Sequence, residues 1–228
     1  MILALDTATP AGSVALFDAG HVLSLRTFDA PRQHSRRLFG EIDAVLEDAG
    51  CGRSQIDCIA VTTGPGSFTG LRIGLSAAKG LCMGLGIELV AVSTLESLAA
   101  RLPFCRLQVC VLLDARRGEV YAAVYDTSDG CPREVHPPSV DEPDRLLAHW
   151  GLEGVLFTGD GVDRWADLLA TIPGAKLAPP PVRRPCADAV AWVASQRPVS
   201  TDIDPGSLEP VYLRTPSFAP ATPLKAKT

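Results

Sequence analysis

The sequence predicts an α/β protein made of two similar lobes. Short apolar runs alternate with stretches at helical spacing along most of the chain, which is the pattern of a mixed fold. Leu3-Ala4-Leu5-Asp6, a tight turn and Val14-Ala15-Leu16-Phe17-Asp18 are echoed by Val111-Leu112-Leu113-Asp114, a turn and Val120-Tyr121-Ala122-Ala123-Val124-Tyr125-Asp126. Of the 228 residues 46% are apolar, enough to bury a core in one large domain or two small lobes.

The elements follow in order. Residues 2–5 read as a buried strand, Thr9-Pro10-Ala11-Gly12 as a turn, and residues 13–17 as a second strand. Asp18-Ala19-Gly20 turns the chain into a third strand over 21–28. Leu38, Ile42, Val45, Leu46 and Ala49 have helical spacing over 35–49, and Gly50 is a stop. Residues 58–62 form a short buried strand, followed by a Gly-rich loop and a helix over about 70–85. A strand over 89–92 leads into Ser93-Thr94-Leu95-Glu96, which has the form of a capping box.

The second half starts with strands over 107–113 and 120–125 around a turn at 114–118. Asp141-Glu142-Pro143 opens a helix with Leu146, Leu147 and Trp150 on one face. Residues 155–157 form a strand. Val162, Trp165, Leu168, Leu169 and Ile172 space as a helix, as do Cys186, Ala189, Val190 and Val193, with a break at Ala178-Pro179-Pro180-Pro181. This gives lobes over 1–100 and 101–215 and a loose tail over 216–228. Strand, Asp, turn, strand used twice is what the actin, sugar-kinase and heat-shock ATPase superfamily contains: two ribonuclease H-like lobes facing each other across a cleft. The same unit also occurs singly in other mixed proteins.

Composition narrows the function. A net charge of −5 repels phosphate backbones on average, so tight binding of nucleic acid by this chain alone is not expected. The pairs Arg36-Arg37, Arg116-Arg117 and Arg183-Arg184 read as solvated faces. The seven cysteines are odd in number, lack a C-x-x-C, and sit partly inside apolar runs, as small hydrophobes of a reducing compartment do. The N-terminus has no basic secretory n-region. The most apolar stretch, 71–92, is interrupted by Arg72, Lys79 and Glu88, so no membrane span is expected.

Thr63-Gly64-Pro65-Gly66-Ser67-Phe68-Thr69-Gly70-Leu71-Arg72-Ile73-Gly74 is the strongest motif. It joins a buried strand to a helix start, where free N–H groups can meet an anion. No Gly-Lys-Ser/Thr closes it, and three residues separate Gly66 from Gly70, so it is neither a Walker A loop nor a dinucleotide fingerprint. A structural turn and an anion cradle both fit. Candidate anion or nucleotide contacts are Asp6, Thr7, Gly64, Gly66, Ser67, Gly70 and Asp114; for the two Asp residues the plain alternative is a turn cap. Gly70, Gly74, Gly80 and Gly84 each cost about 1 kcal/mol against Ala in a helix. They fit where something comes very close, either the chain's own sheet or a partner helix. His21, His34, His136 and His149 have no metal-ligand spacing, Gly-x-Ser-x-Gly is missing, and Gly159-Asp160-Gly161 is too short for an adenine-binding element. No metal site and no catalytic residue are expected.

Five stretches resemble the TsaB (YeaZ) family, in order and over nearly the whole chain. They are Leu3-Ala4-Leu5-Asp6-Thr7-Ala8-Thr9 with Ser13-Val14-Ala15-Leu16; the glycine loop from Gly64 to Gly74; Val92-Ser93-Thr94-Leu95; Asp114-Ala115-Arg116-Arg117-Gly118-Glu119-Val120-Tyr121; and Pro210-Val211-Tyr212-Leu213-Arg214. The resemblance implies the duplicated actin-like fold and a non-catalytic subunit of the complex that forms threonylcarbamoyladenosine on tRNA in the cytoplasm. It implies pairing with the catalytic paralogue TsaD and the ATPase TsaE, contact with tRNA through the complex, and a homodimer when alone. The resemblance implies that this chain requires no cofactor of its own and leaves room for ATP or ADP at the level of the complex. A peptidase label often given to the family finds no support in these residues. The resemblance places the partner surface on the first-half helices, here at Leu38, Ile42, Val45, Leu71, Gly74, Leu75 and Ala78. The other reading of these positions is that they face their own sheet. A small-molecule kinase of the same fold is the alternative function.

Overall fold

The structure is a computed structural model and describes residues 1–29, 34–197 and 205–214. The expected loose tail, 216–228, lies outside the described residues. The first sheet contains β1 (Ile2–Asp6), β2 (Ala11–Asp18), β3 (His21–Asp29), β4 (Cys58–Gly64) and β5 (Glu88–Ser93), in the order β3-β2-β1-β4-β5. The second contains β6 (Val109–Arg116), β7 (Glu119–Asp126), β8 (Arg133–Asp141), β9 (Leu156–Thr158) and β10 (Lys176–Leu177), in the order β10-β9-β6-β7-β8. The orders are the same when read from the matching strands. In each sheet the first three strands pair antiparallel and the last two add in parallel. The echo between β1–β2 and β6–β7 is therefore a repeated position in two equivalent sheets, and the fold is the duplicated two-lobed α/β fold.

Residue size decides which face of the first sheet meets which helix. Leu3, Leu5, Val14, Leu16, Ile59 and Val61 point to α1 (His34–Asp48) and α2 (Phe68–Leu85). Their neighbours Ala4, Ala15 and Ala60 point to α7 (Ala187–Ser195), which answers with Ala187, Ala189, Val190, Ala191 and Ala194. Small residues on both sides let that helix approach closely. The second sheet buries Cys110, Leu112, Val120 and Phe157 against α4 (Pro143–Trp150), α5 (Gly161–Arg164) and α6 (Ala166–Leu169). Its other face packs Val109, Val111 and Ala123 on α3 (Thr94–Ala99). Helices α3 and α7 touch each other between the sheets. Chain order and packing part here: residues 187–195 belong to the expected second lobe, 101–215, yet they cover the first sheet.

Several local readings change. Helix α2 starts at Phe68, because the Ser67 hydroxyl accepts from the Gly70 N–H and caps it. The expected capping box at Ser93 does not form. Glu96 instead meets the Arg197 guanidinium, and the Ser93 hydroxyl bonds Tyr125. Strand β8 contains Pro137 and Pro138 and lies at a sheet edge, where the missing N–H groups leave no ladder bond unmade. The helix expected over 162–172 breaks at Trp165 into α5 and α6. All seven cysteines are free thiols; burial raises Cys58 to about 11 and Cys110 further still, as apolar packing requires.

Candidate functional site

The loops that follow β1, β4, β6 and β9 meet between the lobes. They enclose a cleft of about 270 Å³ lined by Ala8, Thr9, Gly66, Ser67, Phe68, Asp114, Arg116, Tyr121 and Asp160, among others. On the first-lobe side the backbone of the glycine loop lies directly on the turn after β1. The Ser67 N–H donates to the Ala8 carbonyl at 2.7 Å, and the Thr7 hydroxyl donates to the Gly70 carbonyl at 2.8 Å. A Cβ on Gly66 would overlap the Ala8 carbonyl, one on Gly70 the Thr7 carbonyl, and one on Gly74 the Thr7 hydroxyl. These glycines are therefore required by close approach. Only Gly64 among the loop's glycines has a left-handed backbone, at φ 125°. Gly70→Ala is expected to cost about 2–3 kcal/mol, because the colliding atom is backbone and cannot swing away. Urea unfolding of the purified variant checks this.

The chain's own atoms thus take up the Ser67 and Gly70 N–H groups at the start of α2. Asp6 sits behind this wall, fully buried. Its Oδ1 accepts from the Thr62 hydroxyl at 2.8 Å and the Ala8 N–H at 3.2 Å, while Oδ2 has no partner among the described residues. Burial pushes its carboxyl up to about 6, against the lowering effect of those two donors. Thr7, Gly64 and Gly70 also stand behind the cleft wall; Gly66, Ser67 and Asp114 line it.

The second-lobe side is charged. Asp114 accepts from the Arg116 N–H at 2.8 Å and from the Arg164 guanidinium at 3.2 Å. Its own N–H donates to Asp160 Oδ1 at 3.0 Å. Burial raises the Asp160 carboxyl above the ordinary range. Arg116, Arg117 and Gly118 all have positive φ, which makes a tight lip at the cleft. Arg164, Thr9 and Tyr121 are not among the site residues expected from sequence, and Asp160 is weighed there only within Gly159-Asp160-Gly161, as too short an adenine-binding element. Gly159 was the available signal for Asp160: its φ is 106° and its Cα lies against the Leu112 carbonyl, so it aims the next residue at β6. Among the described residues no three His, Cys, Asp or Glu side chains gather as metal ligands, and no helix is long and apolar enough to cross a membrane.

A family model described as TsaD, tRNA N6-adenosine threonylcarbamoyltransferase, matches residues 28–163. The tRNA threonylcarbamoyladenosine biosynthesis protein TsaB of Escherichia coli is 34% identical over 224 residues, covering 93% of this chain and 94% of its own. The chain belongs to the TsaB family. YeaZ from Pseudomonas aeruginosa superposes with a TM-score of 0.80 at 32% identity, covering 93% of this chain and 99% of its own. The activator of the 2-hydroxyisocaproyl-CoA dehydratase from Clostridium difficile reaches a TM-score of 0.50 at 10% identity, covering 88% and 99%. That likeness concerns the fold alone.

The expected partner residues of this TsaB-family chain need correction. Leu38, Ile42, Val45, Leu71, Gly74, Leu75 and Ala78 are all buried within the chain itself. An amphipathic helix has one apolar stripe, and on α1 and α2 the first sheet already takes it. The outward stripe of α2 is Thr69, Arg72, Ile73, Ser76, Gly80 and Met83, and Phe39 rises beside it from α1. Phe39, Phe68, Arg72, Ile73 and Ser76 line a groove of about 550 Å³. Met83 is 75% exposed and Phe39 51%. The four helix glycines divide between two roles: Gly70 and Gly74 touch Thr7, while Gly80 and Gly84 face open space.

Proposed function

We propose that this chain is a non-catalytic subunit for forming threonylcarbamoyladenosine on tRNA in the cytoplasm, and that it works by seating a TsaD-like catalytic protein on the outward face of α1 and α2. A TsaE-like ATPase joins that pair, tRNA is met through the complex, any ATP or ADP is held at that level, and the same face makes a homodimer when the chain is alone. The observation that carries the reading is the outward groove. Phe39 and Met83 are large apolar side chains held in water. Gly80 and Gly84 each give up about 1 kcal/mol of helix stability, and among the described residues nothing lies within 4 Å of where their Cβ atoms would be. A partner helix packed on that stripe would use both. A specific interface buries roughly 1,600 Å² in total, within reach of two helices from each side.

The small-molecule kinase reading needs a phosphate cradle at the glycine loop. Two of the N–H groups at that helix start already bond the chain's own oxygens, which favours the subunit reading.

Size-exclusion chromatography and calorimetry with a purified TsaD-like protein test the proposal. Phe39→Glu is expected to weaken the complex at least about tenfold, as loss of an interface anchor does, and to leave the thermal transition of the isolated chain in place. Gly80→Ala is expected to stabilise the isolated chain by up to about 1 kcal/mol and to weaken the complex. Wild-type affinity in both variants would end the reading.

A further inference from the structure

The segment Pro210-Val211-Tyr212-Leu213-Arg214 has no part in the site so far, yet it touches both the groove and the cleft. The Val211 N–H donates to the Thr63 carbonyl at 2.7 Å, and the Val211 carbonyl lies 2.6 Å from where a Cβ on Gly64 would be. Gly64 is glycine because this segment crosses it. The Tyr212 hydroxyl accepts from Arg72 Nε at 3.1 Å, and its ring packs on Phe68 at 5.3 Å between centroids. The Arg72 guanidinium lies over the Phe68 ring, 3.8 Å from its centre. Two residues on, Arg214 pairs with Glu119 and donates to the Ala115 carbonyl at 3.4 Å, both in the second lobe. Upstream, Lys79 donates to the Gly206 carbonyl at 2.9 Å, which ties the chain just before the segment to α2.

We propose that residues 211–214 form a clasp that links the α1–α2 groove to the interlobe cleft. Arg72 and Phe68 line the groove, Phe68 and Ala115 line the cleft, and the clasp joins them through one stretch of backbone. Phe68 is a wall of both spaces, so a shift of its ring on the groove side moves the cleft edge. Glu119 and Ala115 flank the tight lip at Arg116, Arg117 and Gly118, and Arg214 therefore holds the second-lobe side of the cleft to the same stretch. In the assembly proposed above, a protein seated on the groove would set the cleft through this clasp. That consequence rests on the proposed function; the clasp itself does not.

Amide hydrogen exchange of the isolated full chain tests it, by perturbing the groove end and reading the cleft end. Arg72→Ala and Tyr212→Ala are each expected to raise exchange at residues 115–120 about fivefold or more, as Arg214→Ala does, while residues 155–158 stay unchanged. The idea is overturned if Arg72→Ala and Tyr212→Ala raise exchange only around themselves and Arg214→Ala alone loosens 115–120, because the two ends then act separately. Should Arg214→Ala lose its thermal transition, Glu119→Gln reads the link in reverse: exchange must rise at residues 63–70, and no change there also overturns the clasp. Both arms use this chain without a partner, so a failed complex with a TsaD-like protein would count against the proposed function alone.

Discussion

Leu75→Glu is expected to destabilise the chain strongly. Leu75 is 4% exposed and packed among the large residues between α2 and the first sheet. A carboxylate there would lose the leucine's burial and find itself in an apolar core, a combined loss of about 4–5 kcal/mol against a typical total of about 5–15. For a chain of this size that lowers Tm by about 8–20 °C. Met83→Glu, on the same helix but outside the chain's own core, is expected to shift the Tm of the dilute monomer by less than about 2 °C. Thermal circular dichroism separates the two. Equal stability of both variants would mean that α2 packs by another face.

The second large effect is electrostatic and belongs to Asp6. Its carboxyl titrates near 6 in the folded chain, raised by burial from the ordinary 3.8. The folded state then binds this proton more tightly than the unfolded state does. The stabilisation is complete below about pH 4 and is lost as pH rises through about 6. The gap is worth about 3 kcal/mol in all, of which about 1.4 kcal/mol falls between pH 5 and pH 8. Asp6→Asn removes the titration while keeping an oxygen for Thr62 and Ala8. The unfolding free energy of the Asn variant minus that of wild type is therefore expected to grow by about 1.4 kcal/mol from pH 5 to pH 8 in urea titrations. A constant difference would show that Asp6 titrates alike in both states.

The repeated strand-Asp-turn-strand could be read before any coordinates because it depends on local pattern: two apolar runs, an acidic residue and a turn. The edge strand β8 was hidden by Pro137 and Pro138, which argue against a strand unless its position at a sheet edge is known. The glycine loop was visible as a motif, but its purpose was not. Gly66 and Gly70 are set by the carbonyls of Ala8 and Thr7, about 60 residues away in sequence, and no local rule carries that. The residues expected at a partner surface are core residues for a related reason. Leu38, Ile42 and Val45 announce an apolar stripe, yet a stripe does not say what covers it. Phe39 and Met83, the apolar residues out of phase with that stripe, point outward instead. Asp160 and Arg164 reach the cleft only through the pairing of β9 with β6.

The exchange of inner helices has a consequence for synthesis on the ribosome. Once α2 has emerged and β5 follows, the leucine-rich face of the first sheet has its cover. Its alanine face has none, because α7 is encoded about a hundred residues later. At common translation speeds that interval lasts about 5–20 seconds. Until then the nascent first lobe is a sheet covered on one side, with Phe17 and Val92 open to the surroundings. The second lobe has all its covering helices, α3 to α6, before α7 emerges, so the lobe that is started first is finished last.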